Sequence, residues 1–259
     1  MNAFPERPVI LLVNDDGIYS PGLDAMAEAL RTWGDVTIVA PAWEQSGVGH
    51  AITYLHPLMA RKEHRSGLFY GWRVEGSPAD CVRLGVLEFS PRKPDLIVSG
   101  INMGSNVGIN VLYSGTVAAA IEGAFFGIPS VAVSQWVESP PDYRATAQRA
   151  LCLIRRLVQL APDAGNLWNV NFPACRKGWP RGVRITTMGV RRNTETIEKR
   201  IDPRGRPYYW AGWEPLRSQH FDPGVRYRGD ASRLHHDHTP AFRSHRQCGA
   251  HGIARIRVV

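Results

Sequence analysis

Two adjacent aspartates at the exit of an apolar run are the first residues in this chain with the types and spacing to do chemistry. The stretch from Ile10 to Leu23 reads ILLVNDDGIYSPGL, so four apolar residues run straight into Asn14-Asp15-Asp16-Gly17. Neighbouring carboxylates repel each other, and burial strengthens the repulsion. A divalent cation held between them would relieve it. Asp-Asp-Gly is also an ordinary turn sequence, because Asp and Gly suit turn backbones, so the pair needs further donors before it becomes a site.

Two other polar segments supply them. Pro41–Gly49 (PAWEQSGVG) offers the hydroxyl of Ser46, and Gly100–Thr116 (GINMGSNVGINVLYSGT) offers the amide carbonyls of Asn102 and Asn106. Read singly, Ser46 is a turn hydroxyl, and the asparagines are residues that tolerate left-handed backbone. Together with Asp15 and Asp16 they form an oxygen-only donor set, which selects a hard cation, Mg²⁺ or Mn²⁺, over zinc or copper. The segment Tyr113–Thr116 (YSGT) leads into an apolar helix, whose N-terminal N–H groups and dipole favour an anion. Ser114 and Thr116 add hydroxyl donors there, besides capping. A cation beside an anion hole points to phosphoester hydrolysis, with Asp15 or Asp16 orienting or deprotonating the attacking water. His50 is a candidate proton donor, although an exposed loop histidine without that duty is the plainer reading.

Such loops need a frame that brings them together. Short apolar runs alternate with helical segments through the first half, the pattern of a parallel sheet covered on both faces. Strands are expected at Val9–Val13, Asp35–Ala40, Asp95–Ser99, Ser130–Ser134 and Leu167–Asn171, with Leu68–Val74 as an edge. Ser20-Pro21 and Ser77-Pro78 read as cap plus N1 proline, opening helices over Gly22–Thr32 and Pro78–Phe89. Thr116–Phe126 and Tyr143–Leu160 are the other expected helices. Each polar segment follows a strand, so a parallel sheet puts all three on its carboxyl rim, where open α/β sheets bind ligands. Beyond about residue 180, Glu195–Ile201 and Pro207–Trp213 flank DPRGRP and predict a projecting β-hairpin.

Composition bounds the alternatives. With 259 residues, 44% hydrophobic and 21% charged, the chain reads as a globular protein, and no run approaches the ~20 apolar residues of a membrane helix. The N-terminus lacks a signal-peptide layout, and Cys81, Cys152, Cys175 and Cys248 are too widely spaced for a zinc site or disulfide frame. A cytoplasmic protein is expected. The net charge is +8, but residues 223–259 hold seven Arg against two Asp, so the remaining 222 residues carry only about +3. A non-catalytic nucleic-acid binder working through this basic tail is the alternative in a different class. A dinucleotide-dependent oxidoreductase fits the α/β alternation, but N-D-D-G stands where G-x-G-x-x-G should.

The ordered set of segments resembles the SurE family, the stationary-phase survival proteins that act as 5′/3′-nucleotidases. The matching pieces are ILLVNDDGIYSPGL, VAPAWEQSGVGHAIT, GSPADCVRLGV, the run from Pro94 to Ser134, WNVNFP and DPRGRPYYWAG, covering most of residues 9–213. The resemblance implies a metal-dependent phosphatase of nucleoside monophosphates; some members also trim short polyphosphate. It puts one divalent metal (Mg²⁺ or Mn²⁺) on Asp15, Asp16, Ser46 and Asn102, and the phosphate on Asn106, Ser114, Gly115 and Thr116. It implies a Rossmann-like three-layer core with a mostly parallel sheet over 1–180. A β-hairpin arm and oligomerisation region over 181–222 would exchange between subunits of a homodimer or homotetramer. Where the family commonly carries an acidic residue, this chain has Ile109-Asn110.

The resemblance stops near Asp222. Family members continue into a final strand ending in Gly-Tyr-Ile-Thr-Ile-Thr-Pro-Leu, whereas 223–259 here is rich in Arg and His. Permitted codons for Arg233–Ala241, read one base later, encode that same octapeptide. The tail is therefore read as translated out of frame, through a genuine frameshift or a sequencing error. Such a tail should be poorly ordered, should leave an unpaired sheet edge, and should weaken subunit exchange. The tract His235–His238 (HHDH) then carries no selected metal chemistry.

Overall fold

The computed structural model describes residues 4–136, 141–160, 165–174, 179, 181–188, 195–213 and 254–258. The chain divides into two units, Met1–Val190 with His251–Val259, and Arg191–Ala250. The first unit begins with β1 (Val9–Val13), α1 (Pro21–Arg31), β2 (Asp35–Pro41), β3 (Ala60–Arg65) and β4 (Leu68–Val74). Next come α2 (Pro78–Leu84), running into a π-helical turn at Gly85–Phe89, β5 (Leu96–Met103), α3 (Asn110–Tyr113) and α4 (Gly115–Phe125). It continues with β6 (Ser130–Gln135), α5 (Tyr143–Leu160), β7 (Leu167–Phe172) and β8 (Val183–Thr186). The second unit contains β9 (Glu195–Ile201) and β10 (Pro207–Trp213), and β11 (Ala254–Val258) returns to the first.

The apolar run at the start of the chain explains the sheet's centre. All five residues of β1 are buried, and alternation sends them to opposite faces. Ile10 and Leu12 join the core under α1 and α5, while Leu11 and Val13 join the core under α2. Each fully buried Leu or Ile stabilises by roughly 1.5–3 kcal/mol, so β1 belongs between two layers of helix. Strand order is β3-β4-β2-β1-β5-β6-β7-β11-β8. The pairs from β4 to β11 are parallel, and the outermost pairs at both ends are antiparallel. This is the expected α/β architecture.

The order matters for function. From β1 the chain moves outward to β2 and β4, then returns to place β5 on the opposite side of β1. The crevice between the carboxyl ends of β1 and β5 is thus a topological switch point, the place where such sheets bind ligands. α1 seats itself against that crevice: a Cβ on Gly22 would lie 2.1 Å from the Ile101 carbonyl oxygen. Only glycine lets the first turn of α1 approach the end of β5 so closely.

Local signals were mostly reliable. Ser77 and Asp80 form a full capping box, and the buried Asp80 carboxylate also accepts from Thr53 N (3.0 Å) and Thr53 Oγ1 (2.7 Å). At α1, Pro21 occupies the first turn, but Ser20 makes no side-chain cap bond.

Three expectations need correction. Leu68–Val74 is not an edge, because β3 pairs antiparallel with it. The sequence of β3, ARKEHR, hides its strand nature by lacking apolar alternation; charged residues are how exposed edges resist aggregation. The helix over Pro78–Phe89 keeps α-helical bonding only to Leu84 and widens at Gly85, where an added Cβ would lie 2.6 Å from Leu11 Cδ1. The sheet edge at β7 is not open, since β11 from the end of the tail pairs parallel with β7 and antiparallel with β8. The His235–His238 tract and the segment with the alternative reading frame lie outside the described residues.

The second unit's hairpin pairs Glu195 through Ile201 antiparallel to Trp213 through Pro207. Asp202 sets its turn by accepting from Arg204 N and Arg206 N, each at 2.9 Å.

Candidate active site

At the end of β1, Asp15 is almost completely buried and Asp16 partly so. Asp15 is anchored across the site. Its carboxylate accepts from Thr116 N at 3.0 Å and, in a short contact, from the Thr116 hydroxyl. Asp16 is less engaged, accepting from Met103 N at 3.3 Å. Among the described residues, no Lys, Arg or His forms an ion pair with either carboxylate.

The electrostatics follow from that isolation. Burial pushes the Asp15 carboxyl above its ordinary value, against the opposing pull of the Thr116 hydrogen bonds. Burial, then the charge of Asp15, pushes Asp16 up to about 7. Tyr143, at the start of α5, is pushed up to about 12, first by burial and then by the charge of Asp16. It is a phenol that feels the charge of Asp16, on an element that sequence reasoning did not connect to the site.

The other two rim loops are tied directly to this pair. Gln45 N donates to the Asp15 carbonyl at 2.7 Å, bringing the neighbouring Ser46 to the site. Met103 N, which donates to Asp16, follows Asn102. The Asn102 side-chain nitrogen donates to Gly104 O at 2.9 Å, which leaves its amide oxygen as the group able to bind a cation. Asp15, Asp16, Ser46 and Asn102 are therefore gathered around one crevice. Among the described residues no three His, Cys, Asp or Glu side chains cluster as a metal site, so any cation here rests on two carboxylates helped by neutral oxygens. That donor set, with its unbalanced negative charge, fits Mg²⁺ or Mn²⁺, which bind through one or two carboxylates and complete their shell with water and substrate phosphate.

The anion side is more elaborate than the sequence suggests. Ser114 caps α4, its oxygen accepting from Val117 N at 3.1 Å; this uses a lone pair and not the hydroxyl hydrogen. Thr116, expected to serve a phosphate, donates both its N–H and its hydroxyl to Asp15. Both of its donors are thus committed to that carboxylate in this structure. Gly115 lies against the same side chain, since an added Cβ would sit 2.8 Å from Asp15 Cβ and 2.9 Å from Pro78 Cγ. Gly115→Ala should therefore lower stability by about 1–3 kcal/mol through overpacking, even though Ala is the better helix former. Urea unfolding of the two proteins measures this; an unchanged or raised midpoint would contradict the packing.

Asn106 sits in a cage that sequence reasoning missed. Its side-chain nitrogen donates to Ser134 Oγ at 2.8 Å, and its backbone N donates to Asn171 Oδ1 at 2.8 Å. Its carbonyl accepts from Asn169 Nδ2 at 2.8 Å and Asn171 Nδ2 at 3.2 Å. The signal was present in LWNVNF on β7, where Asn169 and Asn171 alternate on one face of a buried strand. His50 is placed differently from the other candidates. Its Nε2 lies 2.7 Å from Glu122 on α4, and its ring stacks on Phe125, so it pairs with α4 and not with the carboxylates.

Comparison with known proteins shows the family. The family model described as "Survival protein SurE" matches residues 10–195. A 5′-nucleotidase SurE of Rhodopirellula baltica is 53% identical over 205 residues, covering 79% of this chain and 81% of the relative. The 5′-nucleotidase SurE 1 of Thermus thermophilus is 46% identical over 211 residues, covering 80% and 81%. The crystal structure of the SurE protein from Aquifex aeolicus superposes with a TM-score of 0.67 at 40% identity, covering 80% of this chain and 83% of that one. A family model matching residues 10–195 and relatives this similar over most of the chain place it in the SurE family.

Proposed function

We propose that this chain is a metal-dependent 5′-nucleotidase that hydrolyses nucleoside 5′-monophosphates, and 3′-monophosphates, to nucleoside and inorganic phosphate. The observation that carries the proposal is the carboxylate pair: Asp15 and Asp16 lie together with no ion-paired cationic side chain among the described residues, bonded to the two loops that supply Ser46 and Asn102. One divalent cation, Mg²⁺ or Mn²⁺, would rest on these four residues. When bound, it supplies Lewis-acid polarisation of the phosphoryl group and of an attacking water.

The chain's own residues do the rest. Thr116 fixes Asp15 as a rigid anchor. Asp16, with little hydrogen bonding of its own, is the carboxylate free to orient the water or take its proton. Asn106, held by Ser134, Asn169 and Asn171, and Ser114 and Gly115 at the start of α4, line the phosphate side. The dipole of α4 favours negative charge there.

No described helix is long and apolar enough to cross a membrane. Cys81 and Cys152 are free thiols, as suits a reducing cytoplasm. Ile197 and Tyr209, which share one face of the hairpin, are 66% and 60% exposed, a surface suited to a homodimer or homotetramer.

The test is phosphate release from a panel of nucleoside 5′- and 3′-monophosphates, in Mg²⁺ or Mn²⁺, with and without chelator. Release should fall to background in excess EDTA and return on adding Mn²⁺. Full activity in EDTA would defeat the proposal.

A further inference from the structure

Glu44 is a carboxylate beside this crevice, outside any cluster of described residues that could itself hold a cation, and none of the chemistry above uses it. It stands in the loop after β2, which the Gln45-to-Asp15 bond (2.7 Å) closes onto the site. The Ser46 hydroxyl donates to Glu44 Oε1 at 2.6 Å. A serine hydroxyl has one hydrogen and two lone pairs. With the hydrogen committed to Glu44, only lone pairs face outward, and the hydroxyl becomes purely an acceptor, the form in which it can ligate a cation. Glu44 also directly precedes Gln45, whose N–H is bonded to the Asp15 carbonyl, so its negative charge stands beside the place where a cation would sit.

We infer that Glu44 is a positioning residue for the metal site: it orients the Ser46 hydroxyl as an acceptor and adds a third negative charge that draws in a divalent cation. This rests on reading Asp15, Asp16, Ser46 and Asn102 as the cation's ligands. Partners of this indirect kind typically govern 10–100-fold in metal affinity.

The experiment is Mn²⁺ binding to the full chain after EDTA stripping, followed by calorimetry and by the loss of free Mn²⁺ signal in electron paramagnetic resonance. Glu44→Ala removes both orientation and charge, and should weaken Mn²⁺ by about 10–100-fold. Glu44→Gln keeps a carbonyl oxygen to accept the Ser46 hydrogen but removes the charge, so its loss should be smaller yet measurable. In a Ser46→Ala background, Glu44→Ala should weaken binding by less than it does alone, because part of its action passes through Ser46. Thermal unfolding in EDTA controls for folding. Should Glu44→Ala fail to fold, Glu44→Gln decides the matter, and wild-type affinity there overturns the inference. Folded Glu44→Ala protein that binds Mn²⁺ as tightly as wild type overturns it too, while leaving the nucleotidase proposal intact. Wild-type protein that binds no Mn²⁺ overturns both.

Discussion

Asp16→Asn lowers kcat/KM for nucleoside monophosphate hydrolysis by about 10³-fold or more. The polarisation expected of the bound cation is worth several kcal/mol in the transition state, and each 1.36 kcal/mol is tenfold in rate. Asparagine keeps the size of the side chain but removes the charge that holds the cation. Asp15→Asn should match that loss for an additional reason. Both of its oxygens accept from Thr116, and an amide would replace these charge-assisted bonds with weaker neutral ones, loosening the anchor. Phosphate release by purified variants in saturating Mn²⁺ measures both; either variant retaining more than a tenth of wild-type activity would remove that residue from the catalytic centre.

Without metal, the same two substitutions change stability by different amounts. Asp16 is raised from 3.8 to about 7 in the folded chain, so the folded state holds a proton that the unfolded state has released between those values. Its contribution to stability is fully present below about pH 4 and is lost as pH rises through 7. In EDTA, the wild-type melting temperature should therefore fall as pH rises from 5 to 8. Asp16→Asn, with no charge to bury, should be more stable than wild type at pH 8, on the order of 3 kcal/mol, or roughly 5–10 °C. Asp15→Asn should gain less, because relief of its buried charge is offset by the loss of charge-assisted bonds from Thr116. Mn²⁺ restores wild type at pH 8 and does little for Asp16→Asn. Calorimetric scans at pH 5 and pH 8, with EDTA or Mn²⁺, test all four arms. An Asp16→Asn melting temperature below wild type in EDTA at pH 8 would mean that the carboxylate pair is not under charge strain.

The expected elements fall into two groups. β1, β2, β5, β6, β7, α4, α5 and the hairpin announce themselves by apolar runs, caps and turn residues, all of which act within a few positions along the chain. β3 and the contact between β11 and β7 do not. β3 is a charged edge strand whose register depends on β4, and β11 closes the sheet from the far end of a tail whose composition reads as unstructured.

The functional residues divide in the same way. The sequence alone determines which atoms are on offer: two carboxylates at the end of a buried strand, a hydroxyl, several amide oxygens, and a helix N-terminus preceded by Ser114. Residue chemistry is local, and so is the apolar alternation that says where a strand ends. Only the tertiary structure decides how those atoms are shared. It sets β5 beside β1, turns Thr116 toward Asp15, locks Asn106 with Asn169 and Asn171, and pairs His50 with Glu122. Each of these contacts joins elements whose adjacency depends on strand order and helix packing, and no local periodicity encodes that order.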